Sequence, residues 1–262
     1  MAISLAAGCG VPRGIRLPQG QGVPLLHYEQ AFDLAVAECR RVRTMEFVLA
    51  LQGRRGEIRM RGRVLAALAD PSSLRLVGLA PFGAPGFVMV AQPETATLVL
   101  PRDRRIVTAA AADLLEVLAG IALGPDDFRA LLTGCVVPDP RPVGAKAYGN
   151  GWIGVDLYGG STVFLQTRDE LPLVVAGTRG GIVVEYAEHV RGLPRHVRVE
   201  VRAAGEVVTG ITATLSQVNI NAPVSSEAFI VQAHDDYLPM TLDELRRRAP
   251  LEDGAVPASP DF

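Results

Sequence analysis

No stretch of this 262-residue chain approaches the roughly 18 to 20 consecutive apolar residues that a membrane-spanning helix needs. Yet 48% of its residues are hydrophobic and its mean hydropathy is +0.23, so the apolar excess belongs inside a fold or around a ligand. Aromatics are scarce, at 5%. That interior is therefore built mainly of Val, Leu, Ala and Met, a lining better suited to flexible acyl chains than to stacked planar ligands. A basic excess is missing as well: the formal charge is −2, and no basic stripe is interleaved with aromatics, so nucleic acid is not an expected partner.

Chemistry-bearing motifs are equally sparse. The four histidines, His27, His189, His196 and His234, form no HExxH or HxH arrangement, and CxxC, GxSxG, Walker and Rossmann fingerprints are absent. Glu185, Glu188 and His189 read as a solvated strand face, since alternation sends neighbours to opposite sides. His234-Asp235-Asp236 reads as a loop. No catalytic residue, metal or cofactor is expected, and the chain is not read as an enzyme.

Three cysteines are present. The small residues Ala6-Ala7-Gly8 directly before Cys9 look like the end of a lipoprotein signal, shortened in front, which makes Cys9 the expected lipid anchor; the alternative is a small-residue N-terminus with an ordinary buried Cys. Residues 10–24, with three Pro and four Gly, then read as a flexible tether to a membrane. Cys39 and Cys135 remain, either as a disulfide pair in an oxidising compartment or as two separate buried thiols.

Apolar residues at Tyr28, Ala31, Phe32, Ala35, Val36 and Cys39 recur at helical spacing, predicting an amphipathic helix over 27–41. The period then changes to two. Met45, Phe47, Leu49 and Leu51 alternate into a strand, Gly53-Arg54-Arg55-Gly56 reads as a turn, and Ile58, Met60, Gly62 and Val64 alternate back. Short strands follow at 74–79, 87–91, 96–100 and 105–108. Two helical stretches come next, over 110–123 and 125–134, and a Pro-rich link over 138–142. A second meander covers 152–220, and a last helix is predicted over 242–248. About eleven strands, each apolar on one face, describe a mainly β, α+β fold. It is an unclosed antiparallel barrel with helices covering its concave face. One domain over 27–235 is expected, between the signal and tether (1–26) and a C-terminal helix and tail (236–262).

This order of elements, with Pro71-Ser72-Ser73-Leu74-Arg75-Leu76 running into Leu79-Ala80-Pro81-Phe82-Gly83, resembles the lipoprotein-localisation family of the periplasmic carrier LolA and the outer-membrane receptor LolB, in its LolB-like branch, over residues 28–229. The resemblance implies an unclosed barrel with a helical lid and an apolar cavity for the acyl chains of a lipoprotein or lipid. It also implies an outer-membrane lipoprotein facing the periplasm, receiving cargo from a periplasmic carrier protein. An apolar residue on the loop after the third strand aids membrane transfer in that branch. Phe82, with Leu79 and Pro81, stands at the matching place. The alternative for Phe82 is a position folded into the core.

An acyl site needs no motif, because each methylene moved out of water is worth about 0.8 kcal/mol. Its lining is readable only as a face. Phe47, Leu49, Met60, Val64, Leu76, Met89, Leu114, Leu118 and Val199 are the candidates, each equally compatible with ordinary core packing.

Overall fold

A computed structural model describes residues 15–70, 72–80, 83–231 and 236–248. Helix α1 (Glu29–Arg41) buries Phe32, Ala35, Val36 and Cys39 along one stripe and lies against strand β11 (Leu171–Arg179). After it, β2 (Thr44–Arg55) and β3 (Ile58–Ala69) form a hairpin, paired from Thr44 opposite Ala69 to Arg55 opposite Ile58. Its turn is tighter than the glycines suggest. Gly53, Arg54 and Arg55 stay in the strand, and only Gly56 and Glu57 turn. Gly56 sits at φ +55, the backbone that lets a two-residue turn match the twist of its strands.

The first meander continues through β4 (Ser73–Leu79), β5 (Pro85–Ala91), β6 (Ala96–Leu100) and β7 (Arg105–Ala109). Helices α2 (Ala111–Ala119) and α3 (Pro125–Thr133) interrupt it. Helix α2 stops earlier than the apolar spacing predicted, because Gly120 takes the left-handed conformation at φ +71 and caps it. The second meander is β8 (Pro142–Ala147), β9 (Ile153–Leu157), β10 (Thr162–Arg168), β11, β12 (Ile182–Ala187), β13 (His196–Ala203) and β14 (Glu206–Ile220). Helix α4 (Leu242–Arg248) is the last element described.

All strands join one sheet. The two meanders meet where β14 pairs with β2, from Thr209 opposite Arg55 to Ser216 opposite Val48, resuming after a bulge at Asn219 opposite Glu46. The outermost strands are the two-residue β1 (Val23–Pro24), beside β8, and β15 (Leu238–Pro239), beside β7. These ends do not pair with each other, so the antiparallel barrel stays open. The β15–β7 contact runs parallel.

The sheet has fifteen strands among the described residues, against about eleven expected. The unforeseen β1, β8 and β15 all lie at or next to the edges, and two of them are too short to carry an alternation. β8 shares only Pro142 with the Pro-rich link and otherwise fills the unassigned stretch before residue 152. Pro142 opens it, at a position where a missing N–H breaks no ladder.

The inner face carries one contiguous core, in which Phe32, Met45, Leu68, Met89, Leu98, Leu114, Val163 and Leu245 are all almost fully buried. The outer face is covered in places. Ile15 is buried, its N–H donates to Glu200 Oε1 at 3.0 Å, and Arg202 donates to its carbonyl at 3.4 Å. Glu200 alternates with the inward-facing Val199 and so points outward from β13. Seven residues on, Gly22 at φ +63 lies against the Tyr148 ring, which meets Phe164 edge-on at 6.3 Å. From Ile15, the segment read as a tether thus crosses the outside of the second meander from β13 to β8. Cys9, Pro81, Phe82 and the C-terminal tail lie outside the described residues.

Candidate functional site

Between the sheet and the helix pair α2–α3 lies a cavity of about 80 Å³, walled by apolar side chains alone. Its floor comes from strands of both meanders: Leu49 and Leu51 on β2, Val64 on β3, Leu76 on β4, Val197 and Val199 on β13. Phe87, Ile211 and Ala213 complete it. Its roof is Leu115, Leu118 and Ala119 from α2, and Phe128, Leu131 and Leu132 from α3, with Ile121 and Leu123 from the link between them. The half-buried Leu51, Ala119 and Phe128 mark where it meets the surface. A wall of this kind offers no acid, base, nucleophile or metal ligand, and its attraction for a ligand is apolar transfer alone.

The volume is well below the roughly 300–1,000 Å³ of sites that enclose a drug-sized ligand. At about 24 cal/mol per Å³, a void of about 80 Å³ costs the closed form on the order of 2 kcal/mol. One acyl chain brings on the order of 10 kcal/mol gross. The cavity as it stands is therefore too small to enclose a whole acyl chain.

How the roof is held decides whether it can move. Helices α2 and α3 are short and joined by the link 120–124, which begins and ends in glycine. Arg55, the last residue of β2, donates from Nη1 to the carbonyls of Glu116 at 3.2 Å and Val117 at 3.1 Å, near the C-terminal end of α2, where the Glu116 carbonyl also accepts from the Gly120 N–H. Gly120 packs closely here: a Cβ on it would stand 2.9 Å from Thr209 Oγ1 and 3.0 Å from Arg55 Cδ. At the start of α3, Pro125 occupies the first turn with Asp126 and Asp127, acidic residues placed where the helix dipole favours them. Asp127 pairs with Arg179 of β11 at 2.5 Å, and Asp126 accepts from Ser72. Arg129 bridges Asp70 and Asp126. Burial, then the neighbouring Arg43 charge, lowers the pKa of Arg129, which remains charged at any physiological pH.

The far end of α3 is fixed covalently. Cys135, just after the cap residue Gly134, forms a disulfide with Cys39 in the last turn of α1, their Cα atoms 5.7 Å apart. Of the two readings open for these cysteines, the pair is the one observed.

The residues picked as cavity candidates fall into two groups. Leu49, Val64, Leu76, Leu118 and Val199 stand in the cavity wall. Phe47, Met60, Met89 and Leu114 are buried in the core but are not part of that wall. Leu79 closes β4 and is half-buried. The other large roof residues Leu115, Ile121, Phe128, Leu131 and Leu132 fall within the two helical stretches predicted over 110–123 and 125–134, although helical spacing does not say which stripe meets a cavity. Ala119 and Ala213 carry no such signal, since a small residue is silent in a hydrophobic pattern. Arg55 was read as a turn residue. Its reach back to α2 depends on the β2–β14 pairing, which no local pattern reveals.

No protein-family profile matches the chain, and no curated protein resembles it in sequence. Solved structures do. A LolA superfamily protein from Nitrosomonas europaea matches with a TM-score of 0.51 at 10% identity, covering 79% of this chain and 99% of the other. A DUF1329 family protein from Desulfovibrio piger matches with a TM-score of 0.50 at 13% identity, covering 77% of this chain and 96% of the other. At these identities the likeness is one of fold. The fold is LolA-like: an open antiparallel barrel covered by helices on one face.

Proposed function

We propose, from a LolA-like fold with an apolar cavity under a two-helix roof, that this chain is a bacterial envelope protein that binds the acyl chains of a lipoprotein or lipid, and not an enzyme. The observation that carries this reading is the all-apolar wall shared between sheet and roof. Such a wall recognises hydrocarbon without a polar contact, and the energy of burying a chain is large enough to separate the roof from the floor. The role follows as lipoprotein localisation or insertion at the outer membrane, with Cys9 as lipid anchor, Leu79, Pro81 and Phe82 as the membrane-transfer loop, and a periplasmic carrier protein handing over cargo. A general lipid or glycolipid carrier uses the same cavity without that loop. A scaffold lipoprotein with a filled core is the competing reading, and the small volume of the closed cavity favours it.

Titration of the full chain with dansyl-labelled undecanoic acid separates these. Saturable binding that unlabelled palmitate displaces, and that Leu118→Glu weakens in a folded protein, supports acyl binding. No saturable binding leaves the scaffold.

A further inference from the structure

The disulfide that ends the roof is buried, with Cys39 8% and Cys135 3% exposed, yet a pocket reaches it. Cys39 and Cys135 both line a surface pocket of about 160 Å³, together with Arg40, Arg43, Arg129 and Thr133. We propose that this pocket is a thiol–disulfide exchange site for a dithiol reductant, and that the Cys39–Cys135 bond is the releasable end of the roof.

The pocket and its charges favour the chemistry. The three guanidiniums line the pocket, each with a carboxylate partner: Asp33 for Arg40, Asp70 for Arg43 and Arg129, and Asp126 for Arg129. A pocket lined by three guanidiniums is the kind of surrounding that attracts an incoming thiolate. In the exchange, a reductant thiolate attacks one sulfur, the S–S bond breaks, and the other cysteine leaves as a thiolate. The second thiolate of the reductant then attacks the mixed disulfide, releasing the first cysteine and closing the reductant into its own disulfide. Two electrons pass from reductant to protein, and the two protons of the dithiol end on the two cysteines.

The mechanics follow from what the bond holds. On one side it grips α1, which rests on β11. On the other it grips the residue after the cap of α3. The next residue, Val136, is fully buried at φ +67, a left-handed backbone that a β-branched residue adopts only when its surroundings impose it. It is wedged there against Gly177 of β11, where an added Cβ would come within 2.5 Å of its side chain. Breaking the bond removes the covalent half of that constraint. The start of α3 stays clipped by Asp127–Arg179 and Asp126–Ser72 and its middle by Arg129–Asp70, so the helix loosens from its C-terminal end. Only the consequence for cargo rests on the acyl-binding reading; the exchange site and the release of α3 do not.

The test uses the full chain with any free thiol first blocked by N-ethylmaleimide, then dithiothreitol in native buffer, then iodoacetamide. The expected result is two carbamidomethyl groups by mass, with amide exchange over residues 125–137 faster by on the order of tenfold and exchange in β13 and β14 unchanged. Reduction that occurs only as the whole sheet begins to exchange, or a reduced protein whose α3 exchanges as before, overturns the proposal. Dansyl-fatty-acid release from both forms is read in parallel. Failure of the probe to bind either form refutes the acyl reading while leaving the latch standing.

Discussion

The main-chain N–H of Ile15 donates to the Glu200 carboxylate at 3.0 Å, tying the start of the described chain to the outside of β13. Burial pushes the Glu200 carboxyl up, but hydrogen bonds from Arg202 and Ile15 and the charges of Arg198 and Arg202 outweigh it. The group is held below its ordinary value of 4.5. A lowered native pKa contributes stability that is complete above the unfolded value and is lost as pH falls through the native one. Denaturant melts are therefore expected to weaken progressively below about pH 4.5. Glu200→Gln should cost roughly 1–3 kcal/mol at neutral pH, by leaving Arg198 and Arg202 without their carboxylate, and should flatten that acid limb. Parallel acid limbs in wild type and variant would assign the effect to other groups.

Ala213 lies on the cavity floor and Ala119 at its rim. Ala213→Leu places three more carbons where a void already exists, so it should change stability by less than about 1.5 kcal/mol while lowering dansyl-fatty-acid affinity on the order of tenfold, or about 1.4 kcal/mol. Ala119→Phe should do the same from the rim. Unchanged affinity in both variants would place the ligand elsewhere.

Arg55 holds α2 through the Glu116 and Val117 carbonyls. Arg55→Ala is expected to speed amide exchange in α2 on the order of tenfold, the effect of losing about 1–2 kcal/mol of local stability, with β10 and β11 unaffected. Probe association should quicken with it. Equal exchange in the two proteins would show that roof packing, and not this clip, limits opening.

Tyr186 is almost fully buried, burial drives its pKa far up, and its hydroxyl has no hydrogen-bond partner among the described residues. Removing an unsatisfied buried hydroxyl returns its desolvation cost. Tyr186→Phe should be neutral or stabilising by up to about 1 kcal/mol in thermal melts. A loss of more than about 1 kcal/mol would mean that the hydroxyl has a partner in solution.

These residues also show what a pattern can and cannot carry. Leu49, Val64 and Val199 were found by period-two alternation because one face of each strand is wet, and that same contrast defined the open barrel and its roof helices. Phe47 and Met89 obey the same alternation, yet stand outside the cavity wall. A face tells which way a side chain points, not whether its neighbour is another side chain or a void. Edge strands such as β1 and β15 are too short to alternate. Ile15 and Glu200 are 185 positions apart, and a buried carboxylate among arginines reads in sequence as a charged strand face. Cys39 and Cys135 were visible as a pair only by counting, since their approach depends on where α1 and α3 dock.

Native mass spectrometry of the full chain, isolated from envelope material without delipidating detergent, tests the acyl-binding account most directly. The account expects adducts with masses of acylated lipids or lipopeptides, lost from Ala213→Leu and Leu118→Glu proteins that keep their folded charge distribution. Adduct-free wild-type protein that also takes up no palmitate on titration would contradict it, leaving α2 and α3 as the permanent cover of a closed core.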